Sequence, residues 1–271
     1  MAKITDAINS KKITFSLEVT PNISENELLN LSAEPTFISI TWHAKSHLNR
    51  NLDIPPIRLA RFLRNNNKNV LLHLTCDLLT KSYLSKLLAK LQEYDIRNLL
   101  IMLGEKYDHE NSEIKTSEEL IKIIRNETRD YFCLGVAGFP DCNDEQFAHL
   151  QKKVTAGADF VITQAFFDSM TFKTFLDRCR SSGVNVPIIP GLYCFEKLKE
   201  LTGFTNLCKI KVSENVLDYI NKELSEESSG IHITDKIIHS IINESEVYHI
   251  HFFTVDKFDK VSTLLKRLNI E

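Results

Sequence analysis

The segment Val70–Leu103, VLLHLTCDLLTKSYLSKLLAKLQEYDIRNLLIML, decides the architecture. It opens on an apolar run, Val70–Cys76, and closes on another, Leu99–Leu103. Between them, Ser82–Tyr94 carries Leu84, Leu87, Leu88 and Leu91 at the spacing of one helical stripe. Apolar runs this short and uncharged read as strands buried on both faces, and a helix between two such strands makes them parallel.

The same unit repeats outward from this segment. Strands are predicted at Thr14–Val19, Phe37–Trp42, Leu134–Phe139, Phe160–Ala165, Val186–Leu192 and Tyr248–Thr254. Helical stripes fall at Ser117–Glu127 (Leu120, Ile121, Ile124) and at Phe172, Phe175, Leu176 and Cys179 before the stop at Gly183. Ser213–Leu224 and Ile231–Asn243 both belong to the seventh crossover, Ser262–Leu268 closes the chain, and a short helix falls around Ile57–Leu63. Eight strands alternating with helices over about 250 residues predict an α/β protein of the (β/α)8 TIM-barrel class. An open doubly wound sheet commonly announces itself with GxGxxG after its first strand, and that motif is missing. No linker or internal repeat divides the chain, so residues 1–271 are expected to form a single barrel domain.

Composition narrows the function. Eight glycines in 271 residues is under half the usual level of roughly 7%, which leaves no room for glycine-loop or linker-rich designs. A net charge of −3 argues against a general nucleic-acid binder. The N-terminus lacks a signal-peptide run and no stretch reaches the roughly 18 apolar residues of a membrane span. Six cysteines without a CxxC pair read as reduced thiols, so a cytoplasmic location is expected and no membrane partner. Homo-oligomerisation is left open.

In such barrels the chemistry sits at the C-terminal ends of the strands. The polar residues there are Glu18; Thr41 and His43; His73, Thr75 and Cys76; Glu105; Pro140 and Asp141; Thr163, Gln164 and Asp168; Tyr193; and Thr254, Asp256 and Lys257. Glu18 and Glu105 are each either a candidate acid in a partly desolvated mouth or a solvated strand-end charge. His73 and Thr75 share a strand face, which favours a site over an isolated core histidine. His249 and His251 also share a face, but two histidines make a poor metal site, so none is expected. Lys152 and Lys153, at a helix end, read locally as complements of its dipole.

The run Leu150–Asp168, LQKKVTAGADFVITQAFFD, closely resembles the sixth-strand region of methylenetetrahydrofolate reductases. So do FSLE at 15–18, TWH at 41–43, HLTC at 73–76, VAGFP at 136–140, PIIPG at 187–191 and HFFT at 251–254, in order on seven of the eight predicted strands. The resemblance implies an FAD-containing barrel. Reduced nicotinamide, NADH or NADPH, gives a hydride to the flavin and leaves. Methylenetetrahydrofolate then takes the same face in a ping-pong scheme and is reduced to methyltetrahydrofolate. It implies Glu18 as the acid that assists opening of the substrate ring, with Glu105 in the place of a second acidic residue. Gln164 is implied as a pterin contact and Phe204 as a stacking residue, with Lys257 grouped on the substrate side. Flavin contacts carry over to Thr41, His73, Gly104, Ala137, Lys152 and Lys153.

The sequence also departs from that pattern. Arg-Gly-Asp after the fourth strand is Leu103-Gly104-Glu105, a flavin-contacting tyrosine aligns with Thr116, and an aspartate near the nucleotide falls on Gln146. The loop after Pro140 is shorter, and Phe-Phe-Pro-Pro after the glutamate is Val19-Thr20-Pro21-Asn22. Most of these changes face the flavin, so weak FAD binding is expected. With no residues beyond the eighth helix for a C-terminal regulatory domain, adenosylmethionine inhibition is not expected. Two other readings stay open: a relative without turnover that binds folate or a partner, and a flavin-free reductase with direct hydride transfer.

Overall fold

The computed structural model describes residues 2–43, 51–104, 107–225 and 229–270. Within them, β1 (Thr14–Val19), β2 (Phe37–Ile40), β3 (Val70–Thr75), β4 (Asn98–Met102), β5 (Cys133–Gly138), β6 (Phe160–Thr163), β7 (Ile188–Ile189), β8 (Gly191–Tyr193) and β9 (His249–Phe253) share one sheet. Its order is β7-β6-β5-β4-β3-β2-β1-β9-β8, and the pairings are parallel.

β7 and β8 are the two halves of the strand expected at 186–192. They part at Pro190, which has no N–H to offer a ladder. The first half pairs with β6 and the second with β9, so the broken strand joins both edges and closes a (β/α)8 barrel. The Pro190 carbonyl accepts the His251 N–H at 2.9 Å. The Gly191 N–H turns instead to the Thr163 hydroxyl, also at 2.9 Å. A side chain at Gly191 would overlap the Thr163 carbonyl oxygen and the Phe253 ring, so glycine is required by close approach rather than by its torsion angles.

α1 (Ile4–Ala7) packs against the lumen at the N-terminal ends of the strands. Helices cover the outside: α2 (Glu25–Leu29), α3 (Pro55–Asn65), α4 (Lys81–Glu93), α5 (Ser117–Thr128), α6 (Asp144–Thr155), α7 (Ser169–Ser181), α8 (Leu198–Cys208), α9 (Glu214–Ser225), α10 (Gly230–Ser245) and α11 (Asp259–Arg267). α4 shows why they form where they do. Thr80 caps it by accepting the Tyr83 N–H, and Leu84, Leu87, Leu88 and Leu91 are all buried against the sheet. Each leucine so buried contributes about 2 kcal/mol. α9 and α10 both lie between β8 and β9, as the long seventh crossover requires. No helix among the described residues is long and apolar enough to cross a membrane.

Period-2 alternation sends one set of strand residues outward to the helices and the other into the lumen. The lumen holds an apolar cluster of Phe37, Leu71, Leu100, Cys133, Phe160, Ile162 and Ile189. Ile4 of α1 completes this cluster, and its N–H donates to Asn98 Oδ1 at 3.0 Å. β1, β2, β3 and β9 instead give the lumen a polar side built from Ser16, Ser39, His73, His249 and His251, all buried.

Candidate functional site

The polar side consists of a chain of hydrogen bonds between β1 and β9 and a separate pair between β2 and β3. Thr14 Oγ1 meets His249 Nδ1 at 2.8 Å, His249 Nε2 meets Ser16 Oγ at 3.0 Å, and Ser16 Oγ meets His251 Nδ1 at 2.8 Å. Phe37 stacks against both imidazoles, with ring centroids 5.2 Å and 5.9 Å away. On the adjoining strands, Ser39 Oγ lies 2.8 Å from His73 Nε2. Burial holds all three histidines in their neutral form, with His73 and His249 lowered to about 3 and His251 well below its usual value. Hydroxyls occupy both nitrogens of His249, Nδ1 of His251 and Nε2 of His73, and no group of three potential ligands among the described residues is arranged to hold a metal.

Glu18 sits above this column near the end of β1. Its side chain is 24% exposed and one carboxyl oxygen is 3.8 Å from His73 Nε2, too long for a hydrogen bond. Burial first, and the negative charge of Asp256 second, push its carboxyl up to about 7. A carboxyl titrating there can carry a proton at neutral pH and give it away, which is the requirement for a general acid. Its carbonyl accepts the Thr254 hydroxyl.

The stacking side is formed by Tyr193 and Phe204, whose rings are parallel with centroids 3.9 Å apart, and by Phe253 at 6.1 Å from Phe204. Phe204, expected as the stacking residue, is buried with one ring face already covered by Tyr193. Tyr193, at a strand end, is only half-buried and is the more exposed of the two rings. Gln164 follows β6; its N–H donates to the Gly138 carbonyl at 2.7 Å and its side-chain amide reaches the Cys208 carbonyl at 3.4 Å. Lys257 is exposed, held through its N–H to the Thr254 carbonyl.

On the other side, Ala137, Phe139, Cys142, Gln146, His149, Leu150 and Lys153 line a cavity of about 100 Å³ between β5 and α6. Lys153 lies in the last turn of α6, yet helical side chains lean toward the N-terminus, and its ammonium reaches the Ala137 carbonyl at 3.3 Å. Burial lowers its pKa. The local reading of the two lysines as dipole complements therefore does not hold for Lys153. Lys152 is exposed and does not line the cavity.

Two further groups fit a bound molecule. The hydroxyls of Thr41 and Thr75, past the end of β2 and at the end of β3, are buried without a hydrogen-bond partner. Unpaired buried hydroxyls are costly, and a ligand with polar edges would satisfy them. Gly104 holds φ at +115° and a Cβ there would come within 2.8 Å of Asp77. Asp77, buried and not singled out by sequence, organises the following loop by accepting the Asp108 N–H at 2.8 Å and the Ser112 hydroxyl at 3.4 Å. Glu105, the second expected acid, lies outside the described residues. Thr116 and Gln146 are taken up by helix capping. Thr116 accepts the Glu119 N–H, while Gln146 forms a capping box with Asn143. Strand-end position was the signal for Asp256 and Tyr193, but nothing in the sequence marked their contacts with the site.

Comparison with known proteins identifies the family of the chain. The family described as methylenetetrahydrofolate reductase matches residues 3–269. "Methylenetetrahydrofolate reductase 2" of Schizosaccharomyces pombe is 30% identical over 97% of this chain and 46% of its own length. "Methylenetetrahydrofolate reductase (NADH) 1" of Arabidopsis thaliana is 26% identical over 94% of this chain and 48% of its own. The chain thus spans about half the length of these relatives. Among solved structures, an uncharacterised Clostridium thermocellum protein that binds two copies of 5-methyl-5,6,7,8-tetrahydrofolic acid has the same fold, with a TM-score of 0.67 at 16% identity over 98% of both chains. The chain belongs to the methylenetetrahydrofolate reductase family.

Proposed function

We propose that this barrel reduces 5,10-methylenetetrahydrofolate to 5-methyltetrahydrofolate at the expense of NADH or NADPH, with FAD as its cofactor. The observation that carries the reading is Glu18, a half-buried carboxyl raised to about 7 at the mouth of a family barrel. Bound FAD would supply a two-electron carrier, taking hydride from the nicotinamide and passing it to the one-carbon unit in ping-pong order.

The chain's own residues do the rest. Glu18 gives its proton to the ring nitrogen that leaves as the five-membered ring of the substrate opens, and then bears the charge that stabilises the resulting iminium ion. Tyr193 and Phe204 supply the aromatic surface for the flat part of the substrate, and Gln164 a hydrogen-bonding amide at its edge. Lys257 is a further proposed substrate contact, and Glu105 is proposed as a second acidic catalytic residue. Toward the cofactor, Lys153 offers an ammonium to a phosphate, Thr41 an unpaired hydroxyl, and Ala137, Gly104 and His73 the strand-end walls. Lys152, exposed in the last turn of α6, is a further proposed contact.

The visible spectrum of the purified protein tests this. A yellow protein that bleaches anaerobically with NADH or NADPH and recolours on adding methylenetetrahydrofolate is the expected result. A colourless protein that oxidises the nicotinamide only when the folate is present would remove the flavin and leave the reductase. No oxidation even with added FAD would remove the enzyme.

A further inference from the structure

The turn after β9 is built against the usual preferences of its residues. Val255 and Asp256 are consecutive left-handed residues, with φ at 49° and 56°. Left-handed torsion is tolerated by glycine, asparagine and aspartate but is worst for a β-branched residue, so Val255 stores strain. The result is to turn Asp256 back across β1. Its Oδ1 accepts the Thr20 N–H at 2.8 Å, and its Oδ2 accepts the Thr20 hydroxyl. Its own N–H donates to Thr254 Oγ1 at 3.1 Å, and that hydroxyl donates to the Glu18 carbonyl. Asp256 is thus fastened twice, through its carboxylate to Thr20, two residues beyond Glu18 on the same chain segment, and through its N–H to Thr254 at the end of the neighbouring β9. Two oxygens that both accept, one from an N–H and one from an O–H, are the pattern of an ionised carboxylate.

We infer that Asp256 is a positioning residue for Glu18: its carboxylate, pinned to Thr20, keeps the Glu18 carboxyl in its acid form. Glu18 and Thr20 are two apart along the chain, which puts the pinned charge on the side of the strand that Glu18 uses. A like charge close to a carboxyl disfavours its ionisation, and the charge of Asp256 acts on Glu18 in that direction. The other groups around Glu18 do not compete. His73 of β3 and His251, one layer down on β9, are held neutral. β2 presents Ser39 in register with Glu18, and β9 presents Phe253. His43 past β2 and Lys257 next to Asp256 are both exposed.

The inference rests on Glu18 being the acid of the proposed reaction, so the test reads its proton directly as well as through turnover. Asp256→Asn keeps an amide oxygen for the Thr20 N–H, tolerates the left-handed turn and removes the charge. The Glu18 carboxyl band is identified in infrared difference spectra against Glu18→Gln and titrated in the unliganded protein. The expected result is a downward move of about one pH unit in Asp256→Asn, with the alkaline limb of folate reduction moving with it. Thr20→Val, which removes the hydroxyl but leaves the charge, should keep the titration high. An unmoved titration in Asp256→Asn overturns the inference, as does an equal drop in Thr20→Val. A titration that moves while the turnover profile stays fixed supports the role of Asp256 and overturns Glu18 as the acid.

Discussion

The Nε2 atom of His73 lies 3.8 Å from a Glu18 carboxyl oxygen and 2.8 Å from Ser39 Oγ, and the imidazole is uncharged. The pairing therefore does little to draw the proton off Glu18. A charged imidazole at that distance would favour the carboxylate. The lumen beneath supports this state, because hydroxyls of Thr14, Ser16 and Ser39 satisfy the buried rings without adding charge.

Removing the proton donor separates the two halves of the proposed reaction. Glu18→Gln should leave reduction of the flavin by NADH or NADPH within about twofold of the parent, and slow folate reduction by about 10²–10⁴-fold, the usual contribution of a general acid. Rapid mixing of each half-reaction measures both. The parent's folate half-reaction should also fall as pH rises through about 7, where Glu18 loses its proton. Equal losses in the two halves would contradict the assigned role.

Neighbouring lysines should behave unequally. Lys153→Met removes the ammonium that lines the β5–α6 cavity, and loss of one charge-assisted hydrogen bond of about 1.5–3 kcal/mol weakens FAD binding roughly 10- to 100-fold. Lys152→Met, at an exposed position, should change it by less than about twofold. Equilibrium titration of each apoprotein with FAD reads the difference. Equal weakening would mean that Lys152 shares the contact.

Much of the barrel was readable because parallel strands covered on both faces leave uncharged runs, and covering helices leave leucine stripes such as 84, 87, 88 and 91. Pro190 was visible in the sequence, but hydrophobic periodicity does not register a missing N–H, so the break between β7 and β8 was not predicted. α8 escaped notice because Thr202, Gly203 and Thr205 dilute its pattern. Within the site, strand-end position picked out Glu18, His73 and Gln164. What Asp256 does depends on two left-handed torsions, and the covered face of Phe204 on a ring from another element; neither leaves a periodic trace.

Closure of the barrel should depend on the smallest residue at the break. Gly191→Ala places a methyl group against the Thr163 carbonyl oxygen and the Phe253 ring, and forces β8 away from β6 or β9. Overpacking of this kind costs about 1–3 kcal/mol, and backbone on one side makes relief harder. Chemical denaturation should show that loss. Gly203→Ala, where a Cβ meets nothing within 4 Å, should be neutral or slightly stabilising because it sits inside α8.

Acid should loosen the fold earlier than its carboxylates alone require. His73, His249 and His251 bind protons less readily in the folded chain than at their ordinary value of 6.5. Their contribution is whole above that value and is lost as pH falls toward their folded values, because the unfolded chain takes up the protons. Glu18 works the other way. Its folded value near 7 lies above the ordinary 4.5, so folding gains from its protonation as pH falls between the two. From about pH 6.5 down to 4.5 these four groups leave the unfolded state with roughly two protons more, three from the histidines less one from Glu18. Stability should therefore fall with decreasing pH across that window. Glu18→Gln should steepen the fall by about one proton and His249→Phe should flatten it by about one, both read from denaturation midpoints at several pH values. A stability that stays level from pH 7 to 5 would show that the buried imidazoles accept protons in the folded state.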